Sequence, residues 1–247
     1  MSYPWPYPIP PVTSARVHDY LAGGKDNFRA DRLLAEQLLH ADPRYLDLVH
    51  ANTAWQHDAV RTAADAGVDQ FLVFGPGMPR LGETPLHTLA QLHHPYATTV
   101  YVDHDPQVVV AARALWRTCG VTVLDGDLAE TEHLLADPAL HTALETDRPV
   151  AVVCALVLQH LDDTEVTAWA AALAAALPEG SHLAITHPGP ELELVAGTYT
   201  TATCEAGAPG RYLTRTPEHL DQLLKGWALQ EVEVAEHGLL TATARLP

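Results

Sequence analysis

Phe71-Leu72-Val73-Phe74-Gly75-Pro76-Gly77-Met78-Pro79 decides the fold reading, because four consecutive apolar residues run straight into a glycine-bearing turn. A short unbroken apolar run bounded by turn residues is the pattern of a strand buried on both faces of a parallel sheet. After the turn, Pro85 can open a helix carrying Leu86, Leu89 and Leu92, since proline is tolerated where a helix begins. The same alternation then repeats. Thr98 to Val102 is predicted as a strand, Pro106 to about Trp116 as a helix, and Val121 to Leu124 and Val150 to Leu156 as further strands. Asp162-Asp163-Thr164-Glu165 resembles a capping box and opens an Ala-rich helix that stops at Pro178-Glu179-Gly180. His182 to Thr186 is the next strand. A helix from Pro217 to Leu224 and two β-prone runs, Leu229 to Val234 and Leu239 to Ala244, complete the chain. Strands alternating with helices imply an α/β, Rossmann-like fold with a doubly wound, mostly parallel sheet, and the closing pair adds one C-terminal antiparallel strand. Ligands in such sheets bind beyond the carboxyl ends of the strands.

Upstream of that core, apolar residues recur at helical spacing from Ser14 to Leu21, from Phe28 to Leu39 and from about Tyr45 to Ala66. Residues 1–12 read as a Pro-rich arm, 13–66 as an N-terminal helical cap, and 67–247 as the core. The 247 residues carry 31 acidic and 14 basic side chains, a formal charge of −17. That balance repels a phosphate backbone, so neither nucleic acid nor an anionic membrane is expected as a partner. No apolar stretch approaches the roughly 20 residues a membrane helix requires. The first residues lack the pattern of a secretory signal, so a cytoplasmic location is expected. Three widely spaced cysteines and histidines without ligand spacing suggest neither a disulfide framework nor a metal site. The oligomeric state is not legible.

Three features at successive strand ends could carry chemistry. Gly75, Pro76 and Gly77 follow the first strand, where glycines let backbone approach a ligand; a plain turn is the alternative. Asp103 follows the second strand, where a carboxylate can accept from both hydroxyls of a ribose. Asp127 follows the third, where its oxygen could accept from an adenine amino group. Helix N-capping is the alternative for each acid, and for Asp105, which precedes Pro106, it is the preferred reading. His160 and His187 follow the fourth and fifth strands, and either could serve as a general base; a partly buried structural histidine is the commoner case.

The block from Ala15 to Phe28, continuing through Asp31-Arg32, resembles the S-adenosyl methyltransferase family, long catalogued as of unknown function. The resemblance continues through Gln70 to Pro79, Val100 to Pro106, Gly126-Asp127-Leu128 and Asp147 to Val152, covering roughly residues 12–190. It implies a class I methyltransferase fold that binds S-adenosylmethionine at Gly75, Gly77, Asp103 and Asp127. Pro76, His104, Leu128 and Ala155 complete the expected cofactor set. Tyr20 joins His160 and His187 as a catalytic candidate, and Gly23, Gly24, Lys25, Asp26 and Asn27 are expected to bind substrate as a polar roof over the sheet. A solvated loop, with Asp26 or Asn27 capping the next helix, is the alternative. The chain departs from the family at Val73, where relatives carry an acid, at Pro76, where they carry a small polar residue, and at Gln159, where they carry a histidine. Methyl transfer to a small molecule is the leading expectation. A repurposed reaction such as a cyclisation or rearrangement, or a non-catalytic binding protein, stands beside it.

Overall fold

A computed structural model of the chain describes residues 11–145, 147–207, 210–235 and 237–247. Most of the predicted Pro-rich arm therefore lies outside the described residues. Three helices come first, α1 (Ser14–Leu21), α2 (Arg29–Ala41) and α3 (Tyr45–Asp65). Then follow β1 (Gln70–Phe74), α4 (Leu86–His93), β2 (Thr98–Asp103), α5 (Pro106–Leu115), β3 (Val121–Asp125), α6 (Thr131–Leu135) and α7 (Pro138–Ala143). The chain continues through β4 (Ala151–Ala155), α8 (Asp163–Ala176), β5 (His182–Pro188), α9 (Glu193–Glu205), α10 (Pro217–Leu223), β6 (Ala228–Val234) and β7 (Leu239–Arg245).

The seven strands form one sheet in the order β3-β2-β1-β4-β5-β7-β6, and β7 runs antiparallel to both of its neighbours. All other pairings are parallel. Period-two alternation assigns the two faces. Leu72, Phe74, Val100, Val102, Val152 and Cys154 pack with Trp169 and Leu173 of α8. Phe71, Val73, Tyr101, Ala151 and Val153 point the other way, onto Val60, Ala63 and Ala64 of α3 and Leu89 and Ala90 of α4. The capping box at the start of α8 is as read from sequence: Asp162 accepts from the amides of Thr164 and Glu165 at 3.0 Å, and Glu165 accepts from the Asp162 amide at 2.7 Å.

Helix α3 belongs to two cores at once. Its first half sends Tyr45, Leu48 and Val49 into a cluster with Val17, Leu34 and Leu38 of α1 and α2, whereas its second half covers the sheet. The cap is thus tied to the sheet by one continuous 21-residue helix. The sequence reading omits α9, and for a physical reason. Its GTYTTAT stretch is rich in β-branched residues with low helix propensity, and Leu192 makes no side-chain cap bond. Tertiary contact with α2 and burial of Val195, Ala196 and Tyr199 stabilise it instead.

Candidate functional site

β1 leads toward β2 on one side, and β4 lies against its other side, so the sheet's switch point falls between β1 and β4. A cavity of about 830 Å3 opens at this edge, large for a small-molecule site. Gly75 sits on its floor with φ +59°, and its amide donates to the Val102 carbonyl at 2.8 Å. A Cβ at Gly75 would stand 2.4 Å from Val157 Cγ2, so the turn admits no side chain there. Gly77 also has positive φ, +70°, but open space lies where its Cβ would be. Backbone is therefore presented bare to the cavity.

Asp103, at the end of β2, is buried and lines the same cavity. Its Oδ1 accepts from the Asp105 amide at 2.9 Å. Burial pushes its carboxyl above the ordinary value, opposed by hydrogen bonds from the Asp105 and Gly77 amides and by His104. The Gly77 amide thereby ties the glycine turn to the acid. Asp127 is exposed at the rim and accepts from the Ala129 amide at 2.9 Å, so it caps the short turn that follows as well as lining the cavity. Pro76, His104, Leu128 and Ala155 line the cavity too.

His160 lines the same cavity from the turn after β4. Its Nδ1 stands 2.7 Å from the Arg211 carbonyl, which can only accept, so that nitrogen carries the proton and Nε2 is left as an acceptor. Burial lowers its pKa to about 4, so the ring is neutral near pH 7. His187 does not reach the cavity. It is fully buried; Nδ1 donates to the Pro188 carbonyl at 2.9 Å and Nε2 accepts from Arg215 Nη1 at 2.9 Å. With both nitrogens engaged it has none left for a substrate, and its role is to hold Arg215, which also donates to the carbonyls of Leu158 and Leu161.

Tyr20, Gly23, Gly24, Lys25, Asp26 and Asn27 are likewise not brought into the cavity wall. Their loop wraps around Asp19, a buried carboxylate that accepts from the Asp26 amide at 2.9 Å and from Asn27 Nδ2 at 2.8 Å. A Cβ at Gly24 would collide with Asp19, which explains the glycine. Tyr20 packs against the apolar cluster of the cap. The Asn27 side chain and the Asp26 amide serve the loop's internal hydrogen bonds, and the neighbouring Arg16 and Asp31 form a buried ion pair at 2.8 Å.

Several wall residues escaped the sequence reading. Tyr45 from α3, Tyr199 and Thr203 from α9, and Arg211 and Tyr212 from the following loop all line the cavity. Leu156 is the one non-glycine residue with positive φ, +51°, among the described residues. Its amide donates to Thr186 Oγ1 at 2.9 Å, Thr186 donates to Asn52 Oδ1 at 2.5 Å, and its carbonyl accepts from Gln159 Nε2 at 2.6 Å. Such strain persists only where surroundings over-determine it, and it clusters at functional sites. A smaller cavity of about 60 Å3 shares His18, Gln56 and Pro76 with the larger one and holds the Arg80–Glu83 ion pair. No periodicity could have indicated these residues; the strained Leu156, after a strand, left no mark in composition.

The strand order with its reversed β7, the bare glycine turn after β1 and the buried acid after β2 define a Rossmann-like protein of the class I methyltransferase type. More narrowly, the chain belongs to the S-adenosyl methyltransferase family, whose family model matches residues 10–244. It is similar to the crystal structure of a DUF574 family protein from Streptomyces avermitilis MA-4680, with 26% identity, a TM-score of 0.86, and coverage of 96% of this chain and 98% of that one. A candidate methyltransferase from Thermobifida fusca YX shares 29% identity at a TM-score of 0.86, covering 96% and 95% of the two chains. The N-methyltransferase NodS from Bradyrhizobium japonicum WM9, in complex with S-adenosyl-L-homocysteine, shares the fold at 16% identity and a TM-score of 0.50, covering 89% and 100%. No functionally curated protein matches the chain.

S-adenosylmethionine is the cofactor of this family, and the cavity fits it. Gly77 leaves space that a side chain would fill, Asp103 presents a buried carboxylate to the cavity, and the volume is within the range that holds a small ligand. Val73 is buried on the α3 face, so β1 contributes no carboxylate to the cavity. Among the described residues no cluster of histidine, cysteine or carboxylate side chains could hold a metal, and no helix is long and apolar enough to cross a membrane.

Proposed function

We propose that this protein transfers a methyl group from S-adenosylmethionine to an oxygen or nitrogen of a small molecule bound in the 830 Å3 cavity. One observation carries the reading: a single cavity is lined by the glycine turn, by Asp103 and by a neutral histidine whose Nε2 lacks a good donor. When bound, the cofactor supplies an electrophilic methyl carbon attached to a good leaving group. The chain's own residues then have three tasks. Gly75, Gly77 and Asp103 hold the nucleoside, with Asp127, His104, Leu128 and Ala155 around the adenine end. Helices α1, α3 and α9 exclude water and restrict the acceptor's orientation, which accounts for much of the rate in a reaction with a built-in leaving group. His160 Nε2 takes the proton that the acceptor atom loses as it gains the methyl group. Its pKa of about 4 leaves that nitrogen unprotonated near neutrality but makes it a weak base, which accepts the proton only as the acceptor atom becomes strongly acidic on gaining the methyl group.

The buried Val73 favours a second reading, a cofactor-binding fold used for another reaction. Calorimetric titration with S-adenosylmethionine and an assay for S-adenosylhomocysteine formation with hydroxylated and amino acceptors separate the two. Binding with product formation supports methyl transfer, and binding without product from any acceptor supports the second reading. Absence of binding overturns both.

A further inference from the structure

One part of the cavity wall is built from rings. Tyr199 and Tyr212 stand 5.2 Å apart between centroids at 48°, His160 lies 5.6 Å from Tyr199 and 5.8 Å from Tyr212, and Tyr45 meets Tyr212 edge-on at 6.4 Å. Four elements supply them: α3, the turn after β4, α9 and the loop after α9. None of these rings carries charge near neutrality. Burial raises Tyr45 to about 12 and likewise pushes Tyr199 and Tyr212 well above the ordinary tyrosine value, and it keeps His160 uncharged. The phenol oxygens of Tyr45 and Tyr212 are 3.0 Å apart and satisfy each other.

Two acceptors in this wall lack adequate donors. His160 Nε2 has only a 3.5 Å contact with Gln159 Nε2, too long for a good hydrogen bond. Gln159 is 3% exposed, its Nε2 is fixed on the Leu156 carbonyl at 2.6 Å, and its Oε1 has no partner. The amide cannot flip to cure this, because the Leu156 carbonyl requires a donor. Gln159 Oε1 is thus a buried acceptor left without a donor, which is costly and marks a place where a ligand's donor is missing, and the half-buried His160 Nε2 lies beside it. The Asn52–Thr186–Leu156 chain of hydrogen bonds holds that geometry from behind.

We infer that this wall is the acceptor-substrate subsite, and that it takes a neutral, planar aromatic molecule bearing an O–H or N–H group, such as a phenol or aromatic amine. The inference deepens the methyl-transfer reading and rests on it for the word substrate. The flat ring lies against Tyr199 and Tyr212, where offset or edge contacts between rings are favourable. The donor group points to His160 Nε2 and Gln159 Oε1, the atoms that lack one. A quaternary ammonium would be held by the ring faces but would leave both acceptors unsatisfied, and a saturated ring would forgo the ring contacts.

The full-length protein, with and without saturating S-adenosylhomocysteine, is titrated by calorimetry with 2-naphthol, 2-methoxynaphthalene, decahydro-2-naphthol and trimethylphenylammonium. 2-Naphthol is expected to bind about tenfold tighter than its methyl ether, which lacks the donor, and at least as much tighter than the saturated alcohol and the cation. In His160→Ala and Gln159→Leu the naphthol-to-ether ratio should shrink toward one, while Tyr199→Leu should weaken naphthol and ether together. Since the ligand series is compared within wild-type protein, a misfolded variant does not spoil the test. Equal binding of the ether, the saturated alcohol or the cation overturns the inference. Failure to bind S-adenosylhomocysteine overturns the cofactor reading instead, and the naphthol series still decides the character of the wall.

Discussion

Replacing Asp31 by alanine should unfold the cap over the cavity far more readily than replacing any exposed residue of the same block. Arg16 and Asp31 are 2% and 0% exposed, and Arg16 Nε donates to Asp31 Oδ2 at 2.8 Å. The same carboxylate accepts from the Phe28 amide at 2.8 Å, the N-terminal amide of α2, and from the Thr13 amide at 3.3 Å. Removing it strands a buried guanidinium, for which breaking a buried pair typically costs about 3–5 kcal/mol. The lower end applies, because Arg16 keeps Gln107 Oε1 at 2.9 Å, the Pro11 carbonyl and Asp105 at 4.0 Å. The orphaned Phe28 amide adds about 1 kcal/mol, giving a total near 4 kcal/mol. For a chain of this size that corresponds to a melting temperature lower by about 8–16 °C. Urea unfolding followed by circular dichroism reads the change as a shift in midpoint at constant slope. Asp26→Ala is the control, since that side chain is exposed and should change stability by no more than about 0.5 kcal/mol. A loss under about 1 kcal/mol in Asp31→Ala, or equal losses in both variants, would show that the block is not held together by this pair.

Asp103→Asn should weaken S-adenosylhomocysteine binding by about 1–3 kcal/mol, read by calorimetry, and unchanged affinity in a folded variant would remove Asp103 from the site. Gly75→Ala and Gly77→Ala should separate stability from binding. Both carry the strain of a side chain at positive φ, about 1–2 kcal/mol, but the first also meets Val157 and should lower the urea midpoint further, whereas the second projects into open space and should add a loss of cofactor affinity. Acid should destabilise the protein before its carboxylates titrate. The folded pKa of His187 is depressed to about 3, so its contribution is intact above about pH 6.5 and falls by about 1.4 kcal/mol per unit as pH drops toward 3. His18 and His160, each lowered to about 4, act with the same sign. Urea midpoints that stay level between pH 6.5 and 5 would contradict this.

Local chemistry determined the sheet and its cofactor edge. Apolar runs such as Phe71 to Phe74 and Val150 to Leu156 can be satisfied only between two helical layers, and glycine or aspartate at their ends falls where the strands stop. That Gly75, Gly77, Asp103 and Asp127 sit together at the strand ends and line one cavity was therefore legible from position alone. Helix α9 was not, because its Thr-rich sequence has no helical preference of its own and takes that form only when α2, Tyr212 and the cluster of the first helices bury Tyr199. With α9 unseen, the ring wall was unseen too, since Tyr45 and Tyr212 are 167 residues apart and meet only through the fold. The Tyr20 to Asn27 block is the opposite case, since none of its candidate residues lines the cavity. Its polar residues looked free to meet a substrate, but a sequence does not show that a buried Asp19 consumes the Asp26 amide and the Asn27 side chain. His160 and His187 were equivalent in sequence, each just past a strand. Tertiary structure separated them by placing Arg215 against the second imidazole and leaving one nitrogen of the first without a good donor, because a histidine's chemistry depends on which of its two nitrogens remains unpartnered.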